Sequence, residues 1–312
     1  MESPFTHNTV AAGSDFLARK KELAQLTANI SSKTHTVIYE PPRTGKQSLV
    51  RMALSQSTVP EDGILEADLL SDIDSARLTG IVEKGREYRV VYLRNFQNVL
   101  KFGDWEKCLG ALGREMPGED APMYIITGSG VNAMKHIFEE RKFLYRQFER
   151  IQLSPIDEKS ISDHIIKTFL RVGRVVETSQ TEFIYNITDG HPWYIWQIAN
   201  SCFNLTKGYL SNNLITEAVE SLLYTHSVRF QEIVDNLSRY QLYFLRAVFD
   251  GITKASSADV ITNYNLNSSA NVHRIKEALT KKEVIVIDSG DCPKIIDPIF
   301  RLWLEKCYFT DL

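Results

Sequence analysis

Glu40-Pro41-Pro42-Arg43-Thr44-Gly45-Lys46-Gln47-Ser48 follows a short apolar run, Thr36 to Tyr39, and opens a helical pattern that continues to Ser57. A loop that leaves a strand and enters a helix is where a parallel sheet holds phosphate. Successive backbone N–H groups and the helix N-terminus surround the oxygens, and a lysine neutralises them. Gly45-Lys46 supplies the core of the pattern G-x-x-x-x-G-K-[ST], but the pattern is broken twice. Glu40 stands at the first glycine, and Gln47 stands where a hydroxyl ordinarily holds Mg²⁺. Ser48 comes one residue late, and one residue of α-helix turns a side chain by ~100°. The Glu40 carboxylate repels a triphosphate unless it points to solvent or pairs with Arg43 or Lys46. By themselves the nine residues fit equally a plain strand-to-helix turn with Lys46 a solvated charge.

Outward from the loop, short apolar runs alternate with helical spacing. Strands are expected at Thr36 to Tyr39, Gly63 to Ala67, Arg89 to Leu93, Pro122 to Thr127 and Arg150 to Leu153. Helices are expected at Phe16 to Ile30, Lys46 to Ser57, Asp74 to Lys84, Asp104 to Arg114 and Val131 to Glu140. Five strands separated by helices predict an α/β domain, a parallel five-stranded sheet with helices on both faces, over residues 1–154. After Ser154-Pro155 the pattern becomes helical, broken near Gly173, Gly190-His191-Pro192 and Gly208, and predicts a helical lid over residues 155–236. From Leu237 the order is a helix to Phe249, a short helix at Ser257 to Tyr264, a longer one at Ser268 to Lys282, then β-rich runs Val284 to Asp288 and Lys294 to Ile296. With a hairpin turn at Ser289-Gly290-Asp291, these are the parts of a winged helix-turn-helix over residues 237–312. The apolar Phe300-Arg301-Leu302-Trp303-Leu304, with Tyr308 and Phe309, reads as a final helix closing the core.

Composition narrows the function classes. The 312 residues are 43% hydrophobic and 24% charged, an ordinary globular balance, and a net charge of −3 gives no global attraction to DNA or acidic lipid. Any nucleic-acid surface is therefore local. No apolar run approaches the ~18 residues of a membrane span and no basic-apolar leader opens the chain, so a cytoplasmic protein without membrane contact is expected. Cys108, Cys202, Cys292 and Cys307 lie far apart with no C-x-x-C pair, which suggests reduced thiols and no metal site.

Further motifs stand in order along the chain: Phe16-Leu17-Ala18-Arg19-Lys20-Lys21-Glu22-Leu23, Pro42-Arg43-Thr44-Gly45-Lys46, Ile125-Ile126-Thr127-Gly128-Ser129 and Gly190-His191-Pro192-Trp193-Tyr194. Together they resemble the archaeal-type ATPases of the signal-transducing (STAND) branch of AAA-like P-loop proteins, over nearly the whole chain. The first is similar to that family's F-x-G-R-x-x-E-L box, with Ala18 in place of glycine. The second is similar to its P-R-R-T-G-K-T loop, and the last to its G-x-P-W-Y motif. The resemblance implies ATP or ADP as ligand. It assigns Arg19, Arg43, Thr44, Gly45, Lys46, Gln47, Ser48 and Pro192 to nucleotide binding, with Pro192 against the base. It assigns a polar sensor to Thr127 and Ser129, and a phosphate-sensing arginine to the place of Arg146 and Arg150.

The chain departs from that family at the strand end that carries catalysis. There an acidic pair holds Mg²⁺ and positions the attacking water. Here Val90-Val91-Tyr92-Leu93 runs into Arg94-Asn95. A guanidinium has no lone pair for Mg²⁺, and a neutral amide cannot act as a base, although Asn95 can hydrogen-bond a water. With Gln47, both usual metal anchors are gone. Glu66, Asp68, Asp104 and Glu106 are the neighbouring carboxylates, the first two expected on an outer strand. What survives is positive charge and backbone, with Arg94 a further cation for phosphate.

In the C-terminal module Arg274, Lys276, Lys281 and Lys282 against Glu277 make the longer helix basic. Its early residues Asn271, His273 and Arg274 are the candidates for base edges, because recognition helices present their first turns to the major groove. Asp288, Asp291 and Asp297 make the wing acidic, which weakens a DNA reading against a protein-facing one. The expected function is a nucleotide-responsive regulatory or scaffold protein with a protein partner, its hydrolysis weak or lost, in which nucleotide joins the Lys46 loop to the lid at Pro192. The alternatives are an active ATPase with an unconventional metal site and a winged-helix DNA-binding regulator with a vestigial pocket.

Overall fold

The computed structural model describes residues 3–309 apart from 12, 14–15, 18, 71–72, 117, 119, 142, 145, 253 and 289–291. Ala18 and the turn Ser289-Gly290-Asp291 lie outside the described residues. The chain divides into two compact units, residues 10–154 and residues 155–312 joined by 1–9.

In the first unit the strands are β1 (Thr36–Tyr39), β2 (Ile64–Asp68), β3 (Val90–Arg94), β4 (Met123–Gly128) and β5 (Glu149–Arg150). They form one sheet in the order β2-β3-β4-β1-β5, and every neighbouring pair is parallel. Helices α1 (Lys20–Ser31), α2 (Lys46–Gln56), α3 (Ser75–Gly85), α4 (Trp105–Glu115) and α5 (Val131–Lys135) make the connections. Side chains alternate across a strand, and the two faces are covered separately. Ile38, Val90, Tyr92, Met123 and Ile125 are buried with Leu26 and Ile30 of α1 and Leu49, Val50 and Ala53 of α2. On the opposite face Val91 lies under α3 at Gly85, where a Cβ would come within 2.7 Å of its side chain. Burial on both faces is why these strands read as continuous apolar runs rather than alternating ones.

Three elements differ from their sequence reading, and in one, Val131 to Glu140, the α-helix ends at Lys135 and the chain continues to Glu140 as a π-helical turn. The first helix begins at Lys20 rather than Phe16, because Arg19 leaves helical geometry at φ −117°, ψ 39° and its side chain is committed elsewhere. The last strand keeps only Glu149 and Arg150 in the sheet rather than running to Leu153. It pairs only with Thr36 and Val37 of β1, and after the Ile151 N–H bond to Val37 O the chain leaves the sheet while β1 runs on to Tyr39.

The second unit contains α6 (Glu158–Leu170), α7 (Thr178–Ile187), α8 (Pro192–Leu205) and α9 (Asn212–Asp235). The winged-helix elements follow as α10 (Arg239–Phe249), α11 (Ala258–Asn263), α12 (Ser269–Lys281), β6 (Ile285–Ile287), β7 (Pro293–Ile295) and α13 (Pro298–Trp303). Strands β6 and β7 pair antiparallel as the ribbon. The N-terminal segment belongs here: Phe5 is buried among His164, Phe169, Trp196 and Phe203, with ring centroids 5.8–6.2 Å away. No helix among the described residues is long and apolar enough to cross a membrane.

Candidate functional site

Strand β1 connects to β2 at one edge of the sheet and β4 connects to β5 at the other, so the strand order reverses between β1 and β4. The crevice outside the C-terminal ends of the strands at such a point is where open α/β sheets bind ligands. The loop 40–45 leaves β1 there, and Glu40 N–H donates to Gly128 O at the end of β4 at 3.4 Å.

The loop is shaped by two left-handed residues, Arg43 at φ 64° and Gly45 at φ 93°. Gly45 precedes α2, and its φ, not lack of space, is what demands glycine: a Cβ there would meet Arg19 Nε only at 4.0 Å. Helix α2 starts at Lys46, so its first-turn N–H groups have no intrahelical carbonyl and face whatever fills the loop. Pro41 and Pro42 contribute no N–H, which confines the backbone donors to the later half of the segment.

Lys46 is not the solvated charge that a plain turn would carry. Its side chain is 8% exposed, and Nζ donates to Glu40 O and Pro41 O, each at 2.7 Å, with Thr44 Oγ1 at 3.4 Å. Burial pushes its pKa down to about 7, against the opposing pull of the Glu40 carboxylate and with added repulsion from Arg19. A buried ammonium satisfied by neutral carbonyls is a group whose charge an anion would complete.

Arg19 lies behind the loop. Its guanidinium donates to Ser154 O at 2.8 Å and Thr44 O at 3.1 Å and pairs with Glu22 at 3.4 Å. Burial lowers its pKa, and Glu22 opposes that shift. Glu40 pairs with neither Arg43 nor Lys46 as an ion pair. It accepts the Leu153 N–H at 3.3 Å and faces Arg150 at 3.9 Å, so the carboxylate at the first-glycine position is drawn toward β5. Burial raises its pKa, which Arg150 counteracts. Arg150 is itself committed to Glu139 at 2.9 Å and stacks over Tyr39 at 4.0 Å. Arg146 is exposed with φ 61°. Ser48 Oγ accepts the Ala11 N–H at 3.1 Å, so this hydroxyl holds the chain ahead of α1. Thr127 is buried, its hydroxyl donating to Tyr92 Oη at 3.4 Å, and the Ser129 N–H donates to Gln97 Oε1 at 3.1 Å.

The end of β3 carries an ion-pair network. Parallel register places Asp68 opposite Arg94. The Arg94 guanidinium meets Asp68 at 2.9 Å and Glu66 at 3.1 Å, and Arg51 reaches Glu66 at 3.5 Å. Asn95, left-handed at φ 55°, donates to Asp68 Oδ1 at 2.7 Å. Two cations against two carboxylates leave the network neutral, and Arg94 is spent on it instead of being a further cation for phosphate. These groups do not fit Mg²⁺: the strand-end residues are donors, and the nearby carboxylates are occupied by guanidinium. Among the described residues no group of three or more His, Cys, Asp or Glu side chains is placed to hold a metal ion.

In the second unit Pro192 is the first residue of α8, buried, after the left-handed pair Asp189 (φ 48°) and Gly190 (φ 68°). Gly190 rests on the Tyr185 ring, where a Cβ would come within 2.7 Å of Oη, so only glycine fits. On α12, His273 and Arg274 are exposed. His273 pairs with Glu277 at 3.5 Å, and Asn271 Nδ2 donates to Leu266 O at 3.0 Å, closing the turn ahead of its own helix.

Comparison with known proteins agrees with this architecture. Residues 228–306 match the family model of a probable winged helix domain. Among solved structures, a Walker-type ATPase of Pyrococcus abyssi superposes with a TM-score of 0.72 at 16% identity, covering 96% of this chain and 99% of that one. The fold is that of a P-loop ATPase of AAA+ type with a C-terminal winged helix. The ORC2 protein of Aeropyrum pernix in its ADP form gives a TM-score of 0.57 at 14% identity over 95% of this chain and 93% of that one. The ORC1 protein of Aeropyrum pernix in complex with DNA gives 0.53 at 12% identity over 98% and 97%. No curated protein matches the sequence.

Proposed function

We propose that this chain binds ATP or ADP through the Lys46 loop without a conventional Mg²⁺ site, and acts as a nucleotide-responsive regulatory or scaffold protein of STAND type whose hydrolysis is weak or lost. The observation that carries the reading is the buried Lys46 ammonium, satisfied by Glu40 O and Pro41 O at the start of a helix whose first N–H groups open into the loop. Phosphate oxygens offer the same donors a charged acceptor, and hydrogen bonds to charged groups are worth about 1.5–3 kcal/mol each. In this reading Arg43, Thr44, Gly45, Lys46, Gln47 and Ser48 line the phosphates, Arg19 positions the loop through Thr44, and Thr127 and Ser129 stand beside it. Turnover needs a group to activate water, and Arg94 and Asn95 are both donors tied to Asp68. The ADP form of the Aeropyrum ORC2 protein, on the same fold, supports the choice of ligand.

Titration calorimetry with ATP and ADP on the wild type and Lys46→Ala, paired with a phosphate-release assay, tests the reading. Lys46-dependent binding with no release is expected, and Lys46-dependent, Mg²⁺-dependent release would replace it with an ATPase. A second reading, DNA contact through α12, is favoured by exposed His273 and Arg274 and by the winged helix itself. It requires salt-sensitive duplex binding that Arg274→Ala weakens and ATP leaves unchanged. On the ribbon Lys294 is paired with Asp288 at 3.0 Å and is not free to meet phosphate, which favours the protein partner instead.

A further inference from the structure

The turn between α7 and α8, residues 188–191, is tied at both ends to the same distant helix. Ahead of Gly190, Asp189 Oδ1 accepts from Arg301 of α13 at 3.1 Å. Beyond Pro192, the Tyr194 hydroxyl donates to Asp297 Oδ2 at 2.7 Å, and the Arg229 guanidinium donates to both of these oxygens at 2.8 Å. Asp297 is the N-cap of α13: its other oxygen accepts the N–H groups of Ile299 at 3.0 Å and Phe300 at 3.1 Å. One carboxylate thus fixes the start of α13 and the position of Tyr194, which is 2% exposed. Below it, Phe300 and Trp303 pack on Phe230 of α9, with centroids 5.4 and 5.8 Å apart.

We propose that helix α13 of the winged helix is the buttress of turn 188–191, with Tyr194, Arg229, Asp297 and Arg301 as its positioning residues. The two ties are unequal. The Arg301–Asp189 pair is about half exposed at both partners and contributes little, whereas the Tyr194–Asp297 bond runs from a buried hydroxyl to a carboxylate 27% exposed and is screened less. The turn itself is the type of segment that needs support. Two consecutive left-handed residues precede Pro192, and three local bonds close it: Asp189 N–H to Asn186 O, Gly190 N–H to Tyr185 O, and His191 N–H to Thr188 O. A displacement of α13 withdraws Asp297 from Tyr194 and with it the fixed start of α8. If the chain binds nucleotide as proposed and Pro192 meets its base, as the resemblance in the sequence implies, a ligand on the winged helix that moves α13 changes nucleotide affinity. By reciprocity, nucleotide changes affinity for that ligand by the same factor. This second step rests on the proposed function; the buttress does not.

Amide hydrogen exchange on the full chain tests it, with Tyr194→Phe, which keeps the ring, and Asp297→Asn, which keeps a capping side chain. Both are expected to speed exchange of the Gly190 and His191 amides by about tenfold while α10 and α12 keep their protection. Arg301→Ala is expected to change it less than threefold. Unchanged exchange at Gly190 and His191 in both folded variants would overturn the proposal. So would an equal increase across residues 155–312, which is global destabilisation. ADP titration of the same proteins separates the two readings. A wild type that binds and a Tyr194→Phe variant weakened by about tenfold support the coupling, and equal affinities refute it. A wild type that does not bind defeats the nucleotide reading and leaves the exchange result to judge the buttress.

Discussion

The ends of β1 and β3 started from the same requirement, to place polar groups at the crevice of a parallel sheet, and have met it differently. At β1 the working parts are backbone N–H groups, the α2 terminus and one lysine, none of which depends on the identity of most neighbouring side chains. Glu40 can therefore replace a glycine without filling the loop, because Leu153 N–H and Arg150 draw its carboxylate aside. At β3 the strand end carries Arg94 and Asn95, which are donors and cannot take the part of a carboxylate pair. Arg94 is held by Glu66 and Asp68, and the region is an internally neutral network. In the proposed reading a cradle made of main chain tolerates substitution, and a site made of carboxylates does not.

Removing the lysine should break the contrast most strongly. Lys46→Ala is expected to weaken ATP and ADP by about 100-fold in calorimetry, the upper end for charged hydrogen bonds, while Arg94→Ala shifts affinity less than twofold. Protonation is the next lever. With its pKa lowered to about 7 from the ordinary 10.5, Lys46 has lost its proton in the folded chain over a range where the unfolded chain keeps it. Stability from this group is thus least below pH 7 and rises between about 7 and 10.5. Nucleotide binding runs the opposite way, since it needs the ammonium. Affinity measured at pH 7, 8 and 9 should fall by up to about tenfold per unit and take up a proton on binding, and a flat profile would show that phosphate does not meet Lys46.

Restoring the lost half sharpens the comparison. Gln47→Thr combined with Arg94→Asp and Asn95→Glu re-creates a hydroxyl and an acidic strand end. Calorimetry should find ATP affinity raised by about tenfold on adding Mg²⁺, a dependence not expected of the wild type. The smallest expected effect is on stability. Arg94→Ala leaves Glu66 and Asp68 facing each other in a partly exposed network, a cost of about 1 kcal/mol after screening, readable as a lower midpoint in urea.

The sheet, its loop and the winged helix were legible because each is written locally, in an apolar run, a turn or a cap. Thr36 to Tyr39 is bounded as the spacing says, and Ser268 caps α12 at the residue expected to start it. The partners of the charged groups were not legible, because they are long-range. Leu153, 113 residues away, together with Arg150, decides where the Glu40 carboxylate goes, and nothing in the loop announces either. Arg94 was read as a phosphate cation, yet a signal existed. Once β2 and β3 are taken as adjacent parallel strands, their ends align Asp68 with Arg94. Likewise Arg19 was placed at the ligand by resemblance, whereas its carbonyl partners Ser154 and Thr44 are supplied by backbone that no side-chain pattern records. The Tyr194–Asp297 tie joins residues 103 apart and was invisible for the same reason.

The central claim is that the cradle at β1 holds nucleotide without help from the end of β3. Titrating ADP and ATP into the wild-type chain at pH 7, once with Mg²⁺ and once with a chelator, tests it directly. The account predicts binding with the same affinity in both; no binding at millimolar nucleotide, or affinity strengthened tenfold or more by Mg²⁺, would contradict it.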